Sequence, residues 1–211
     1  MGRIVAALAP EYGIEITGTL TRGNAGQPDT WPAADVAIDF STAEATPANA
    51  RVLASRGVSL VIGTTGWHRE ESALRAELAA ADIGILSAAN FAVGVNIFLA
   101  LAERSAELLA ARGFASWIHE AHHAAKKDAP SGTAVALQRV LERSGATPDV
   151  SSTRAGHIPG THTVGFDSPS ETVVLTHTAR DRTVFARGAL EAAKWIHGRR
   201  GWYGMRDLLN L

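Results

Sequence analysis

Strand-length apolar runs recur between helix-length segments, and few architectures accept that rhythm. Val36-Ala37-Ile38-Asp39-Phe40, Val58-Ser59-Leu60-Val61-Ile62 and residues 83–86 are short, β-branched and apolar, with segments long enough for a helix between them. Strands that alternate with helices in this way build right-handed βαβ units and a parallel sheet. An Ala-rich stretch that Ser41-Thr42 can cap follows the first run. The turn Gly63-Thr64-Thr65-Gly66 follows the second and opens a charged helix over residues 68–81. Upstream, residues 1–9 read as a helix stopped by Pro10, residues 14–20 as a strand, and residues 22–32 as turns.

The pattern changes near residue 91. Residues 93–111 form one long apolar helix, 114–120 read as a strand, and 131–144 as a helix closed by Gly145. Residues 161–166 and 172–179 alternate without a helix between them, which favours antiparallel pairing. Residues 189–197 and 202–211 return to helix. The expected fold class is α/β: a Rossmann-type dinucleotide-binding domain (residues 1–91 and 184–211) with an inserted α+β substrate and oligomerisation domain (residues 92–183).

Composition narrows the function. Twenty Lys+Arg against 21 Asp+Glu leave a formal charge of −1, without the basic excess of a general nucleic-acid binder. No apolar run approaches the ~20 residues that span a bilayer. The chain has no cysteine, which excludes thiolate zinc sites and thiol nucleophiles and fits a cytoplasmic protein.

The densest chemistry lies in residues 119–133, His119-Glu120-Ala121-His122-His123-Ala124-Ala125-Lys126-Lys127-Asp128-Ala129-Pro130-Ser131-Gly132-Thr133. Two readings compete. Residues 119–123 match H-E-x-x-H, the zinc peptidase pattern, but that chemistry needs a helix to put both histidines on one face, and residues 114–118 favour a strand. The other reading is a site for an anionic substrate. A histidine delivers protons near neutral pH, lysines supply compact positive charge, and Ser131-Gly132-Thr133 opens a helix whose N–H groups suit a carboxylate. No residue is assigned to a metal.

Glu120-Ala121-His122-His123, Lys126 and Asp128-Ala129-Pro130-Ser131-Gly132-Thr133-Ala134 resemble the signature of the 4-hydroxy-tetrahydrodipicolinate reductase (dihydrodipicolinate reductase) family of lysine and diaminopimelate biosynthesis. Asp39-Phe40-Ser41, residues 61–66, residues 88–96 and Phe185-Ala186-Arg187-Gly188-Ala189-Leu190 are similar in the same order. The resemblance implies an NAD(P)H-dependent oxidoreductase in which His122 donates the proton and Lys126 is the catalytic lysine. It implies that His123, Gly132 and Thr133 hold a small dicarboxylate, and that Gly63, Thr64, Thr65, Ala88, Ala89, Asn90 and Phe91 surround the nicotinamide. By the same analogy the protein is a homo-oligomer, a tetramer in the family. His119 and Lys127 match no hallmark. Arg154, Gly156 and Gly160 resemble a substrate-facing loop, although a structural turn explains them as well.

Thr21-Arg22 lacks the acid that accepts ribose hydroxyls and keeps a cation that can meet a 2′-phosphate, a leaning toward NADPH over NADH. The strand and G-x-G-x-x-G turn of a dinucleotide fingerprint are absent from the sequence, and Met1-Gly2-Arg3 resembles the closing part of that turn, with Gly2 the remaining phosphate-side glycine. The expected consequences are an unpaired 14–20 segment and a weakened pyrophosphate cradle. They leave open a second reading, a non-catalytic dinucleotide- or dicarboxylate-binding remnant.

Overall fold

The computed structural model describes residues 1–211, which divide into two compact units, Met1–Val93 with Thr183–Asn210, and Gly94–Arg182. The first unit contains α1 (Gly2–Leu8), β1 (Val36–Asp39), α2 (Thr46–Ser55), β2 (Ser59–Ile62), α3 (His68–Glu77) and β3 (Gly84–Ser87). The second contains α4 (Val93–Leu109), β4 (Ala115–His122), α5 (Gly132–Arg143), β5 (Asp149–Arg154), β6 (Thr161–Asp167) and β7 (Thr172–Thr178). The chain returns to the first unit with α6 (Thr183–Ile196), β8 (Gly201–Tyr203) and α7 (Met205–Leu209). No helix is long and apolar enough to cross a membrane.

The first sheet is fully parallel in the order β1-β2-β3-β8. Strand β2 is buried throughout, as expected of a strand covered on both faces. Its side chains alternate: Leu60 and Ile62 pack with Leu53 and Leu74 of α2 and α3, whereas Val61 packs with Ala189, Ala192 and Ile196 of α6. Helix α2 begins later than its polar lead-in suggests. Ser41-Thr42 form a preceding turn in which the Thr42 carbonyl accepts from the Thr46 N–H at 3.1 Å.

Three sequence expectations change here. Residues 14–20, read as a strand but also expected to lie unpaired, join no strand ladder: no strand lies beside the outer edge of β1 to pair with them, and a strand without a partner leaves its backbone unsatisfied. Residues 202–211 are not one helix: Trp202 and Tyr203 pair in parallel with Ile85 and Leu86, and only α7 follows as helix. Helix α6 begins at Thr183 rather than 189, since its Ala186 is already buried against Val5 and Ala9 of the opening helical turns.

The second unit is a mixed sheet, β5-β4-β6-β7, with β4–β5 parallel and the remaining pairs antiparallel. One face is covered by α4 and α5, whose Phe98, Ala102, Ala134, Leu137 and Leu141 pack on Ile118, Val164 and Phe166. Strand β5, Asp-Val-Ser-Ser-Thr-Arg, carries too little apolar signal to be read in advance; its pairing with β4 makes it a strand.

Helix α6 approaches the segment after β3 so closely that a methyl group on Gly188 would lie 1.7 Å from the carbonyl oxygen of Phe91. Gly→Ala inside a helix ordinarily stabilises by up to ~1 kcal/mol. Here a backbone atom would have to move, so Gly188→Ala is expected to destabilise by ~1–3 kcal/mol. A urea midpoint below that of the wild type checks the sign; a raised midpoint contradicts this packing.

Candidate active site

Period-two alternation along β4 builds the second unit's polar cluster. Ser116, Ile118, Glu120 and His122 share the inner face, and the register sets His162 opposite Glu120 and Arg154 beside His122. The same face is therefore apolar at one end, where Ile118, Val164 and Phe166 lie, and charged at the other. His119 faces away, its Nδ1 2.9 Å from the Ser151 hydroxyl.

Glu120 has no exposed side-chain surface. Its Oε1 accepts from Arg154 Nη2 at 2.6 Å, and its Oε2 is in ion-pair contact with Nδ1 of His122. Burial pushes the Glu120 carboxyl up, but Arg154, Ser152 and His122 together outweigh it and hold the group at about 2. Arg154 also donates to the carbonyls of Asp128 and Thr153, which ties the loop after β4 to the end of β5.

His122 is itself largely buried, with 12% of its side chain exposed. Burial pushes its pKa down, Glu120 pulls it up, and the charges of Lys126 and Arg154 push it down again, so it settles below the ordinary histidine range. His162 meets it edge-on at 5.1 Å between ring centres. Burial first, then the neighbouring His122, lowers His162 to about 4. Ser131 caps α5 by accepting from the Ala134 N–H at 3.3 Å and lies 3.0 Å from His162 Nε2. The hydroxyl thus links the first turn of α5 to the His162 ring.

Helix α5 thus brings Ser131, Gly132 and Thr133 to the charged end of the sheet, anchored by Leu137 and Leu141 in the core. Gly132 is exposed and Thr133 half-buried. Lys126 is half-buried and its Nζ lies 2.8 Å from Asp128 Oδ1, whose carboxyl it holds below the ordinary range. His123 and Lys127 are exposed on the loop.

The zinc peptidase reading falls on this geometry. Residues 119–122 lie in a strand, so His119 and Glu120 point to opposite faces. The trio Glu120, His122 and His162 does bring donor atoms within 4.8 Å of one another. Within it Arg154 takes one Glu120 oxygen, the other is in ion-pair contact with Nδ1 of His122, and Ser131 lies against His162.

In the first unit, the carboxyl ends of β2 and β3 carry Gly63-Thr64-Thr65 and Ala88-Ala89-Asn90-Phe91 to one edge of the sheet. Asp39, nearly buried, accepts from the Ser41 N–H at 2.7 Å, Thr64 Oγ1 at 3.0 Å and Asn49 Nδ2 at 3.2 Å, and so fixes the start of the Gly63-Thr64-Thr65 turn. At Gly63 a methyl group would run into the ring of Phe40 at 2.1 Å. Ala88 N–H donates to the Ile62 carbonyl at 3.0 Å, Asn90 accepts from the Ala92 N–H at 2.9 Å, and Phe91 is buried against Phe40. Ala89 is exposed. Gly2 is exposed at the start of α1. Arg22 is exposed in a turn that begins with Thr21 N–H donating to Asn24 Oδ1 at 2.6 Å.

Models for the N-terminus and the C-terminus of dihydrodipicolinate reductase match residues 2–91 and 94–209. The 4-hydroxy-tetrahydrodipicolinate reductase of Acidiphilium cryptum is 40% identical, over 100% of this chain and 94% of its own. That of Myxococcus xanthus is 44% identical over 197 residues, 83% of this chain and 72% of its own. The chain belongs to the dihydrodipicolinate reductase family. Dipicolinate-bound dihydrodipicolinate reductase from Paenisporosarcina sp. TG-14 shares the fold at a TM-score of 0.76 and 18% identity, covering 96% of this chain and 94% of that one. The amine dehydrogenase of Mycobacterium smegmatis is more distant, at a TM-score of 0.55 and 12% identity. Dihydrodipicolinate reductases are oxidoreductases that use NAD(P)H. The first unit suits such a coenzyme: ligands of open parallel sheets lie outside the strands' carboxyl ends, where the small residues Gly63, Ala88 and Ala89 gather.

Both buried groups of the cluster resist acid. Folding holds His162 below its free value of 6.5, so the stability this represents is complete above pH 6.5 and drains as pH falls toward about 4. Glu120 is held below 4.5, so its contribution is complete above pH 4.5 and drains toward about 2. Hydrogen-exchange protection of the β4 and β6 amides is expected to fall in two steps between pH 7 and 2.5. His162→Gln shrinks the upper step, to which His122, also held below its free value, contributes; an upper step unaffected by that change contradicts the assignment.

Proposed function

We propose that this chain reduces 4-hydroxy-tetrahydrodipicolinate to tetrahydrodipicolinate, consuming NAD(P)H and a proton and releasing water. What carries the reading is the buried His122–Glu120 pair, with Lys126 nearby and the start of α5 linked to it through His162, in a chain of this family. When bound, the coenzyme supplies a hydride to the electron-poor conjugated imine formed as the substrate loses water. The chain's own residues do the rest. His122 gives the proton that completes the reduction. Lys126 exchanges its Asp128 partner for a substrate carboxylate, which lowers the cost of the substrate's negative charge. His123 and the first backbone N–H groups of α5, at Gly132 and Thr133, hold the dicarboxylate.

The residues proposed for the coenzyme lie in the first unit. Gly63-Thr64-Thr65 and Ala88-Ala89-Asn90-Phe91 flank the nicotinamide half, with Asp39 holding the former turn in place. Gly2 serves the pyrophosphate side and Arg22 the adenosine ribose. The division of labour follows the two units, residues 1–91 with 184–211 for the coenzyme and 92–183 for the substrate. A cytoplasmic homo-oligomer is the state we propose.

Two measurements test this. NADPH oxidation that depends on the dihydrodipicolinate precursor should fall by ~10²–10⁴-fold in His122→Ala, the usual worth of a general acid, and strongly in Lys126→Ala. A wild type that turns over no better than the double variant, yet still binds a pyridine dicarboxylate, would make the chain a binding remnant. For Arg22, the expected result is a lower KM for NADPH than for NADH; equal values or the reverse order reject that role.

A further inference from the structure

We propose that Glu120 is a positioning residue for the reduction: its buried carboxylate holds His122 by Nδ1, so that the proton leaves from Nε2. The inference rests on reading His122 as the proton donor. A carboxylate on the inner face of a sheet, with no exposed surface, is costly unless other groups answer its charge. Two groups do so here. Arg154 takes Oε1 at 2.6 Å, which leaves Oε2 aimed at the His122 ring. An imidazole whose Nδ1 faces a carboxylate carries its proton on that nitrogen when neutral, and gains a second on Nε2 when charged. Only Nε2 is then available to a reacting group.

The other edge of the ring is kept clear on the same logic. Gly160, with φ +111°, lies against the His122 Nε2 and Cδ2 atoms, where a methyl group would come within 3.2 Å. A larger residue there would meet both backbone strain and the working edge of the imidazole. Burial keeps His162 neutral, so it brings no second positive charge to Glu120.

Each element packed around His122 has a charged or titratable group in play. Arg154 comes from β5, His162 from β6 with His177 of β7 behind it, and Lys126, paired with Asp128, from the loop. Apart from the largely exposed Asp128, these groups oppose a charged imidazole or leave it unsupported. Glu120 is the carboxylate in direct contact that favours it. The proton donor is therefore loaded only as long as Glu120 stays ionised, and Arg154 keeps it so.

Two readouts test the proposal. In wild-type protein labelled with ¹⁵N-histidine, the neutral form of His122 should show the Nδ1–H tautomer; the Nε2–H tautomer overturns the proposal. In Glu120→Gln the lost negative charge lowers the His122 pKa, so the basic limb of the kcat/KM profile should move to lower pH. A shift of about one unit makes the activity on that limb roughly tenfold lower. Glu120→Asp, which keeps the charge, should restore most of the wild-type limb. A folded Glu120→Gln with reduced kcat/KM and an unmoved limb would show a merely structural role. If Glu120→Gln does not fold, the wild-type tautomer decides. An Nδ1–H tautomer in a protein without reductase activity would support the pairing and reject the function.

Discussion

A carboxylate with no exposed surface dictates the second unit's chemistry. Glu120 sits where β4 runs from apolar to polar on its inner face, and its charge requires a cation and a proton-bearing partner. Arg154 supplies the first and His122 the second. Once those contacts are made, the end of β5 is fixed beside β4, the loop after β4 is tied down through the Asp128 carbonyl, and one imidazole edge is committed. His162, opposite Glu120, then links the cluster to Ser131 and so to the first turn of α5. His122, the loop that carries Lys126 and the start of α5 hang on this one ion-paired group.

The first unit uses a second nearly buried carboxylate for a related purpose. Asp39 ends β1 and gathers bonds from three neighbouring segments, which rigidifies the turn after β2. Neither carboxylate is solvated, and each joins a near neighbour, His122 or Ser41, to a group far away in sequence, Arg154 or Thr64. A site built on strand ends and supported by such bonds keeps its geometry better than one built on free loops.

Much of this was legible in the chain because it depends on local signals. The apolar runs of β1, β2 and β3 with helices between them announced the parallel sheet, and the helix-free alternation of residues 161–178 announced the antiparallel pair. The resemblance carried by Glu120-Ala121-His122-His123 and Ser131-Gly132-Thr133 pointed to the family and the reaction. What escaped was non-local. Strand β5 is polar and becomes a strand through its pairing with β4. Trp202 and Tyr203 look helical beside α7 but are held by β3. Arg154 and Gly160 could equally have been turn residues; only the register, which sets Arg154 beside His122, separates the two. Glu120 itself could be read as a peptidase glutamate until its neighbours placed it in a strand.

The coupling between Glu120 and His122 is the most direct test of this account. A double-mutant cycle on kcat/KM, using Glu120→Gln, His122→Gln and the double variant, isolates that coupling from the separate effects of each change. If the carboxylate acts through the imidazole, Glu120→Gln costs much in the wild-type background and little once His122 is gone. Equal costs in both backgrounds would mean that the two residues act independently, and the account would be wrong.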